Sequence, residues 1–250
     1  HGMYNFYLDK SPPGKMIADS ADFVIAVDNS VCDYLLQNSS VTADKLHIIP
    51  NGVDLASFHP EQIKSNQLTF HNSPKLITYI SRYGDNKEKV ALKLIDNITK
   101  IYNQLSSYQV LFVGGGSYAQ QIVEKIEQTN KLIGKNFIQY LGWREDIPNI
   151  MANSHIIIGS ERVAIEGLAS GRPVLLLSTG GYGGLVTRNN IEKLVLQRDD
   201  QSINYQTQLV DDIRHLSKLD FWKERCRESR KLAEHYFNIK IITDKIEKIY

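Results

Sequence analysis

The residues best suited to chemistry lie in Ser160-Glu161-Arg162-Val163-Ala164-Ile165-Glu166-Gly167-Leu168-Ala169-Ser170-Gly171-Arg172-Pro173-Val174. Glu166 stands on a short run of small and apolar residues with a helical pattern. An apolar strand, Val174 to Leu177, follows, and then a glycine-rich loop, Ser178 to Gly184. A carboxylate on such a helix can accept ribose hydroxyls, and bare backbone amides in a glycine loop, here at Gly180 and Gly181, can approach phosphates. Arg82 and Lys87, in Ser81-Arg82-Tyr83-Gly84-Asp85-Asn86-Lys87, add two cations. Arg offers a planar fork and Lys a point charge, so together they can clamp a diphosphate and stabilise the charge on a departing one. As the bidentate group, Arg82 is expected to cost more on truncation than Lys87. A solvated turn before a helix is the plainer reading of both, and Lys89 competes for the lysine role.

Two more strand ends carry candidates. Gly114-Gly115-Gly116, with Ala119, satisfies a loose Gly-x-Gly-x-x-Ala pattern, which suits a phosphate contact or simply a tight strand-to-helix turn. Leu141-Gly142-Trp143-Arg144-Glu145-Asp146-Ile147-Pro148 could flank a nucleobase with Trp143 or Arg144. Asp146 could instead cap the next helix, with Pro148 in its first turn. The seven histidines show no metal-ligand spacing, and His155, which opens a buried strand, reads as structural. No serine-hydrolase elbow and no P-loop is present.

These residues need a scaffold that gathers strand ends. Strand-like runs are Phe23–Val27, Leu46–Ile49, Leu76–Ile80, Val110–Val113, Phe137–Leu141, Ile156–Ile158 and Val174–Leu177. Helical patterns at Val31–Asn38, Glu88–Gln104, Ala119–Ile133, Ile147–Ala152 and Val163–Ala169 separate most of them. Short apolar strands alternating with amphipathic helices predict an α/β fold, a doubly wound parallel sheet covered on both faces, which binds ligands at the strands' carboxyl ends. Ser202–Leu216, Asp220–Tyr236 and Ile239–Ile249 read as helices without intervening strands. Ser65–Ser73 reads as a linker. Residues 1–60 alone supply too little for a stable core, so they read as the end of a domain whose beginning is missing. The chain starts at His1 rather than Met, in keeping with a fragment of something longer.

The 250 residues carry a formal net charge of +1, which gives no bulk reason for nucleic-acid or membrane binding. The two cysteines, Cys32 and Cys226, lie far apart, so a reducing, cytoplasmic setting is expected. No apolar run approaches the roughly 20 residues of a membrane span, and the start lacks the pattern of a signal peptide.

Taken together, the motifs resemble a glycosyltransferase of the GT-B fold, family 4. The likeness rests on Ala21–Val27, Ile49-Pro50-Asn51-Gly52-Val53-Asp54, Ser81-Arg82 with Lys87, Phe112–Gly116, Leu141–Ile147, Ile165–Val174 and Gly180-Gly181. It implies two Rossmann-like domains: a remnant of the acceptor domain over 1–60, a nucleotide-sugar-binding domain over 66–230, and a final helix over 231–250. It implies a retaining, metal-independent transfer from a UDP-, GDP- or ADP-sugar to a carbohydrate or lipid acceptor. It assigns Arg82 and Lys87 to the diphosphate, Glu166 to the ribose, and Gly115 and Gly116 to the donor cleft. The family's first glutamate, eight residues before Glu166, is here Ile158, and Arg162 or the Gly180–Gly184 loop is the expected substitute for its sugar contact. The longer protein is expected at the inner face of a membrane, and the fragment as a homodimer. Competing readings are a sugar-nucleotide epimerase, an NAD-dependent enzyme using Gly114–Gly116, and a non-catalytic nucleotide-binding or interaction module.

Overall fold

The computed structural model describes residues 8–60, 74–84, 86–105, 107–192 and 205–249. The expected linker at 65–73 and the His1-Gly2 start lie outside them. A first unit holds α1 (Pro12–Ser20), β1 (Val24–Ala26), α2 (Asn29–Asn38) and β2 (Leu46–Ile48), with β1 and β2 paired in parallel. Both helices start on side-chain caps: the Ser11 hydroxyl accepts from the Gly14 amide, and the Asp28 carboxylate accepts from the Val31 amide at 2.9 Å. The sequence reading missed α1, whose signals are only that cap and Pro12-Pro13 in the first turn.

The larger unit contains β3 (Lys75–Ile80), α3 (Lys87–Lys100), β4 (Tyr108–Val113), α4 (Ala119–Ile133), β5 (Ile138–Gly142), α5 (Ile147–Asn153), β6 (Ile156–Gly159), α6 (Arg162–Ala169), β7 (Val174–Leu177) and β8 (Tyr182–Leu185). Helices α7 (Tyr205–Leu216), α8 (Leu219–Tyr236) and α9 (Ile239–Glu247) follow. The sheet order is β5-β4-β3-β6-β7-β8, parallel except for β8, which runs antiparallel to β7. The loop expected over Ser178–Gly184 therefore ends in an edge strand. Tyr182 makes it one: its ring is buried, and its hydroxyl donates to Asp212 of α7 at 2.7 Å.

Strand residues alternate between two apolar layers, because successive side chains leave a strand on opposite faces. Ile77, Tyr79, Ile156, Ile158, Leu175 and Leu177 pack with α3, α4 and α7. Ile80, Ile157, Val174 and Leu176 pack with α5, α6 and α8. Ile158 is thus a core residue. Val53, Leu55 and Phe58 join the second layer. Arg230 of α8 ties that segment down by donating to the carbonyls of Leu55, Phe58 and Ala169.

This order positions the site. The chain moves outward from β3 through β4 to β5, then crosses back by α5 to β6 on the other side of β3. The loops after β3 and β6 diverge there and leave a crevice at the carboxyl ends, the usual ligand position in such sheets.

Candidate functional site

The crevice is lined by Ser81 and Lys87 after β3, Gly159, Ser160 and Glu161 after β6, and Ser178 and Thr179 after β7. It encloses about 310 Å³ of empty space, its open mouth included. Lys87 is the first residue of α3, so its ammonium stands at a helix N-terminus, where backbone amides also point. Its Nζ lies 3.0 Å from Oε2 of Glu161. Lys89, the rival, donates to Oδ1 of Asn86 at 2.7 Å, and it is Lys87 that lines the crevice. Arg82 is on the same loop, exposed and outside the lining, and among the described residues its side chain has no hydrogen-bond or ion-pair partner.

Glu166 is buried in α6. Burial pushes its carboxyl above the ordinary value, and the hydrogen bond from Arg162 pulls it partly back. Arg162 Nε meets Glu166 Oε1 at 2.7 Å, while the Arg162 side chain stays 71% exposed. The two residues expected to read ribose and sugar are therefore paired with each other, one helical turn apart.

Gly114–Gly116 docks against the loop that follows β3. The Tyr83 amide donates to the Gly115 carbonyl at 2.9 Å, and the Tyr118 amide donates to the Tyr83 carbonyl at 3.0 Å. Gly114 and Gly116 have φ of 138° and 144°, and a Cβ on them would lie 1.8 Å from Ser81 O and 2.5 Å from Tyr83 O. Only glycine lets β4's loop lie against the loop that carries Arg82. Tyr83, fully buried beneath it, went unnoticed in the sequence. Its phenol donates to the Val113 carbonyl, and burial raises its pKa.

Trp143 is 71% exposed, and its Cβ borders Gly115. Arg144 clamps Asp146 in two hydrogen bonds of 2.7 and 2.8 Å, which holds the Asp146 carboxyl below the usual range. This corrects the expected cap: Asp146 occupies the N-cap position of α5 but makes no side-chain capping bond there. The Gly180 and Gly181 amides are not bare either. They donate to the Ser178 hydroxyl at 2.9 Å and carbonyl at 3.2 Å, so the loop presents Ser178 and Thr179 to the crevice instead.

Glu161 is the site residue that sequence reasoning passed over. Its signal was slight: an acidic side chain directly after a strand end, before a helix. Among the described residues, no group of three or more His, Cys, Asp or Glu could hold a metal ion. No described helix is long and apolar enough to cross a membrane.

The family model described as "Glycosyl transferases group 1" matches residues 74–215, more than half of the chain, and that of "Glycosyltransferase Family 4" matches residues 1–57. The UDP-Gal:alpha-D-GlcNAc-diphosphoundecaprenol alpha-1,3-galactosyltransferase of Escherichia coli is 26% identical over 243 residues, which are 91% of this chain and 59% of that protein. Mannosylfructose-phosphate synthase of Agrobacterium fabrum is 26% identical over 182 residues, 66% of this chain and 40% of that one. This chain thus spans about half the length of the relatives it matches. Among solved structures, Anabaena HepE in complex with UDP and glucose superposes with a TM-score of 0.68 at 19% identity, covering 94% of this chain and 64% of that one. A glycosyltransferase from Rickettsia africae gives 0.69 at 23% identity, covering 100% and 66%.

Proposed function

The chain belongs to the group 1 glycosyl transferases, and from that premise we propose that its crevice binds the nucleoside diphosphate of a nucleotide-sugar donor in a retaining, metal-independent transfer. The observation that carries this reading is the place of Lys87. It puts a cation at a helix N-terminus, in a hydroxyl-lined crevice, where the strand order reverses. Arg82, exposed on the same loop, is the second cation for the diphosphate. Together they neutralise the charge that grows on the departing nucleotide, so the reaction needs no divalent ion for that purpose. The leaving phosphate stays beside the anomeric carbon and takes the proton of the acceptor hydroxyl, which attacks from the same face. Glu166 accepts the ribose hydroxyls when Arg162 yields its hydrogen bond, and Trp143 with Arg144 borders the base. Gly115 and Gly116 line the donor cleft beside them, and Gly180 and Gly181 shape the turn that presents Ser178.

The printed names of the relatives and neighbours, a UDP-Gal transferase and a UDP complex among them, support a UDP-sugar donor and a glycan or lipid-linked acceptor. For this chain by itself the proposal is donor binding. Transfer would need an acceptor side of the kind carried by the unmatched length of the relatives. An NAD-dependent alternative finds less support, because β5 ends in Gly142 and Trp143 follows, where an acid for the cofactor ribose would stand.

Calorimetric titration with UDP, GDP, ADP and NAD tests the reading. Binding of one diphosphate nucleotide is the expected outcome; heat from NAD alone, or from none of them, would overturn it. Because Lys87 lines the crevice and Arg82 does not, Lys87→Ala is now expected to weaken binding more, by about 10- to 100-fold, the range for a charge-assisted contact.

A further inference from the structure

β8 is an edge strand with few side chains to hold it. Its sequence is Tyr182-Gly183-Gly184-Leu185, and it pairs with β7 alone. Tyr182 faces Leu177 and Gly184 faces Leu176, so Gly183 is left over as a bulge in the ladder. Glycines in a strand give it no side chain to pack and a freer backbone. The fastening comes from the side, through one carboxylate of α7. The Tyr182 ring is fully buried, and its hydroxyl donates to Oδ2 of Asp212 at 2.7 Å, a short charge-assisted bond. Asp212 is buried as well. Its Oδ1 accepts from Nε2 of Gln208 at 3.2 Å, and the Leu185 amide also donates to its carboxylate. Asp212 therefore ties both ends of β8 to α7.

The residues just before Tyr182 form the turn that brings Ser178 and Thr179 to the crevice. That turn is closed on itself: the Ser178 amide donates to the Gly181 carbonyl at 3.0 Å, and the Gly181 amide returns to the Ser178 carbonyl at 3.2 Å. A closed turn moves as one body, so its place across from Lys87 is set where it joins β7 and β8. β7 is a fully buried strand. The β8 side is set by Tyr182 and Asp212, neither of which lines the crevice. A hydroxyl serves a bound ligand only when it is held to within roughly 0.5 Å of the productive place.

Resting on the donor-site reading, we propose that Tyr182 and Asp212 are positioning residues for the donor. Their hydrogen bond, made away from the ligand, holds Ser178 and Thr179 where their hydroxyls meet the diphosphate opposite Lys87.

Calorimetric titration with UDP, GDP and ADP tests this on the wild type, Tyr182→Phe, Asp212→Ala and Asp212→Asn, each below its own melting transition. Tyr182→Phe keeps the buried ring and loses only the hydroxyl. It should bind the diphosphate about 3- to 10-fold more weakly, and so should Asp212→Ala, the range for one hydrogen bond. Asp212→Asn keeps an oxygen for the phenol and should stay within about twofold of the wild type. Once Ser178→Ala and Thr179→Val have removed the two crevice hydroxyls, adding Tyr182→Phe should change affinity by less than about twofold, because groups that act through each other are not additive. Full affinity in Tyr182→Phe, whatever its melting temperature, marks a merely structural role and overturns the proposal. So does an equal loss from Tyr182→Phe with and without the two hydroxyls, or an Asp212→Asn as weak as Asp212→Ala. Should Asp212→Ala fail to fold, Tyr182→Phe in the two backgrounds decides. A wild type that binds a diphosphate while these variants break the pattern overturns this proposal alone. One that binds no diphosphate overturns the donor-site reading as well.

Discussion

The two ends of the six-stranded sheet hold similar residue types and treat them in opposite ways. At the amino-terminal end, before β6 and β7, His155 and Arg172 are almost fully buried. His155 stacks on Trp222, with ring centroids 4.4 Å apart and planes within 2°. The Trp222 indole donates to the His155 carbonyl at 2.8 Å, and Arg172 donates to the Ala152 carbonyl and lies 5.7 Å from the Trp222 ring. Burial there holds the His155 imidazole down to about 4 and pushes the Cys226 thiol up to about 11. At the carboxyl end, Lys87 and Glu161 are partly exposed and pair with each other across a crevice. Polar groups directed at backbone carbonyls fasten elements together. Charges that meet across an open crevice can exchange each other for a ligand.

Substitutions at either end test this contrast. The largest effect should come from the open end itself. In Gly114→Ala the new Cβ would meet the Ser81 carbonyl at a φ of 138°, so the loop must move. We expect a loss of about 4 kcal/mol in chemical denaturation; a loss under about 1 kcal/mol would show that the loop is not sealed to β3. At the closed end, Arg172→Ala strips a buried carbonyl of its donor and removes packing from Trp222. It should cost about 3 kcal/mol while leaving diphosphate affinity of the folded protein unchanged. Altered affinity would mean the two ends are coupled.

The pH dependence of the closed end follows from His155. Its folded value lies below the ordinary 6.5, so the folded state favours the neutral ring. The associated stability is complete above pH 6.5 and lost as pH falls from there through about 4, by up to about 3 kcal/mol. Urea denaturation across that range should show the loss, and His155→Phe, which keeps a ring against Trp222, should flatten it.

Glu166 has the opposite sign. Its carboxyl is raised, so the folded state holds the proton longer than the unfolded chain, and stability falls as pH rises from the ordinary 4.5 through the raised value. Glu166→Gln should therefore melt at a higher temperature than the wild type at pH 7 and lose that advantage at pH 4. It should bind diphosphate nucleotides less well at either pH. A stabilised variant with full affinity would remove Glu166 from the donor site. Smallest of all, Arg144→Ala breaks an exposed pair and should leave the melting temperature unchanged.

Periodicity carried the elements that stand on local pattern. Ala119–Ile133 and Val174–Leu177 form within the bounds their apolar spacing predicts. Tyr182–Leu185 did not announce itself, because two of its four residues are glycine. It is a strand only because β7 pairs with it and Asp212 receives Tyr182. Asp146 had the type and position of a cap, but a neighbouring guanidinium two residues away competed better for its carboxylate. Residue types and strand ends picked out Arg82, Lys87 and Glu166 as candidates, and of these three Lys87 lines the crevice. They could not rank Lys87 against Lys89, since both open the same helix and only the fold turns one of them into the crevice.

The order of residues dictates an alternation of apolar strands and amphipathic helices, with cations, glycines and carboxylates at the strand ends. Those features are local, set by neighbours within a few residues. Which strand ends meet is set by the order of strands in the folded sheet. Lys87 and Glu161 are 74 positions apart, and their 3.0 Å pair exists because β6 returns to lie beside β3 rather than beyond β5. Strand order depends on how both faces of the sheet are covered, a balance over the whole domain that no short window of residues contains.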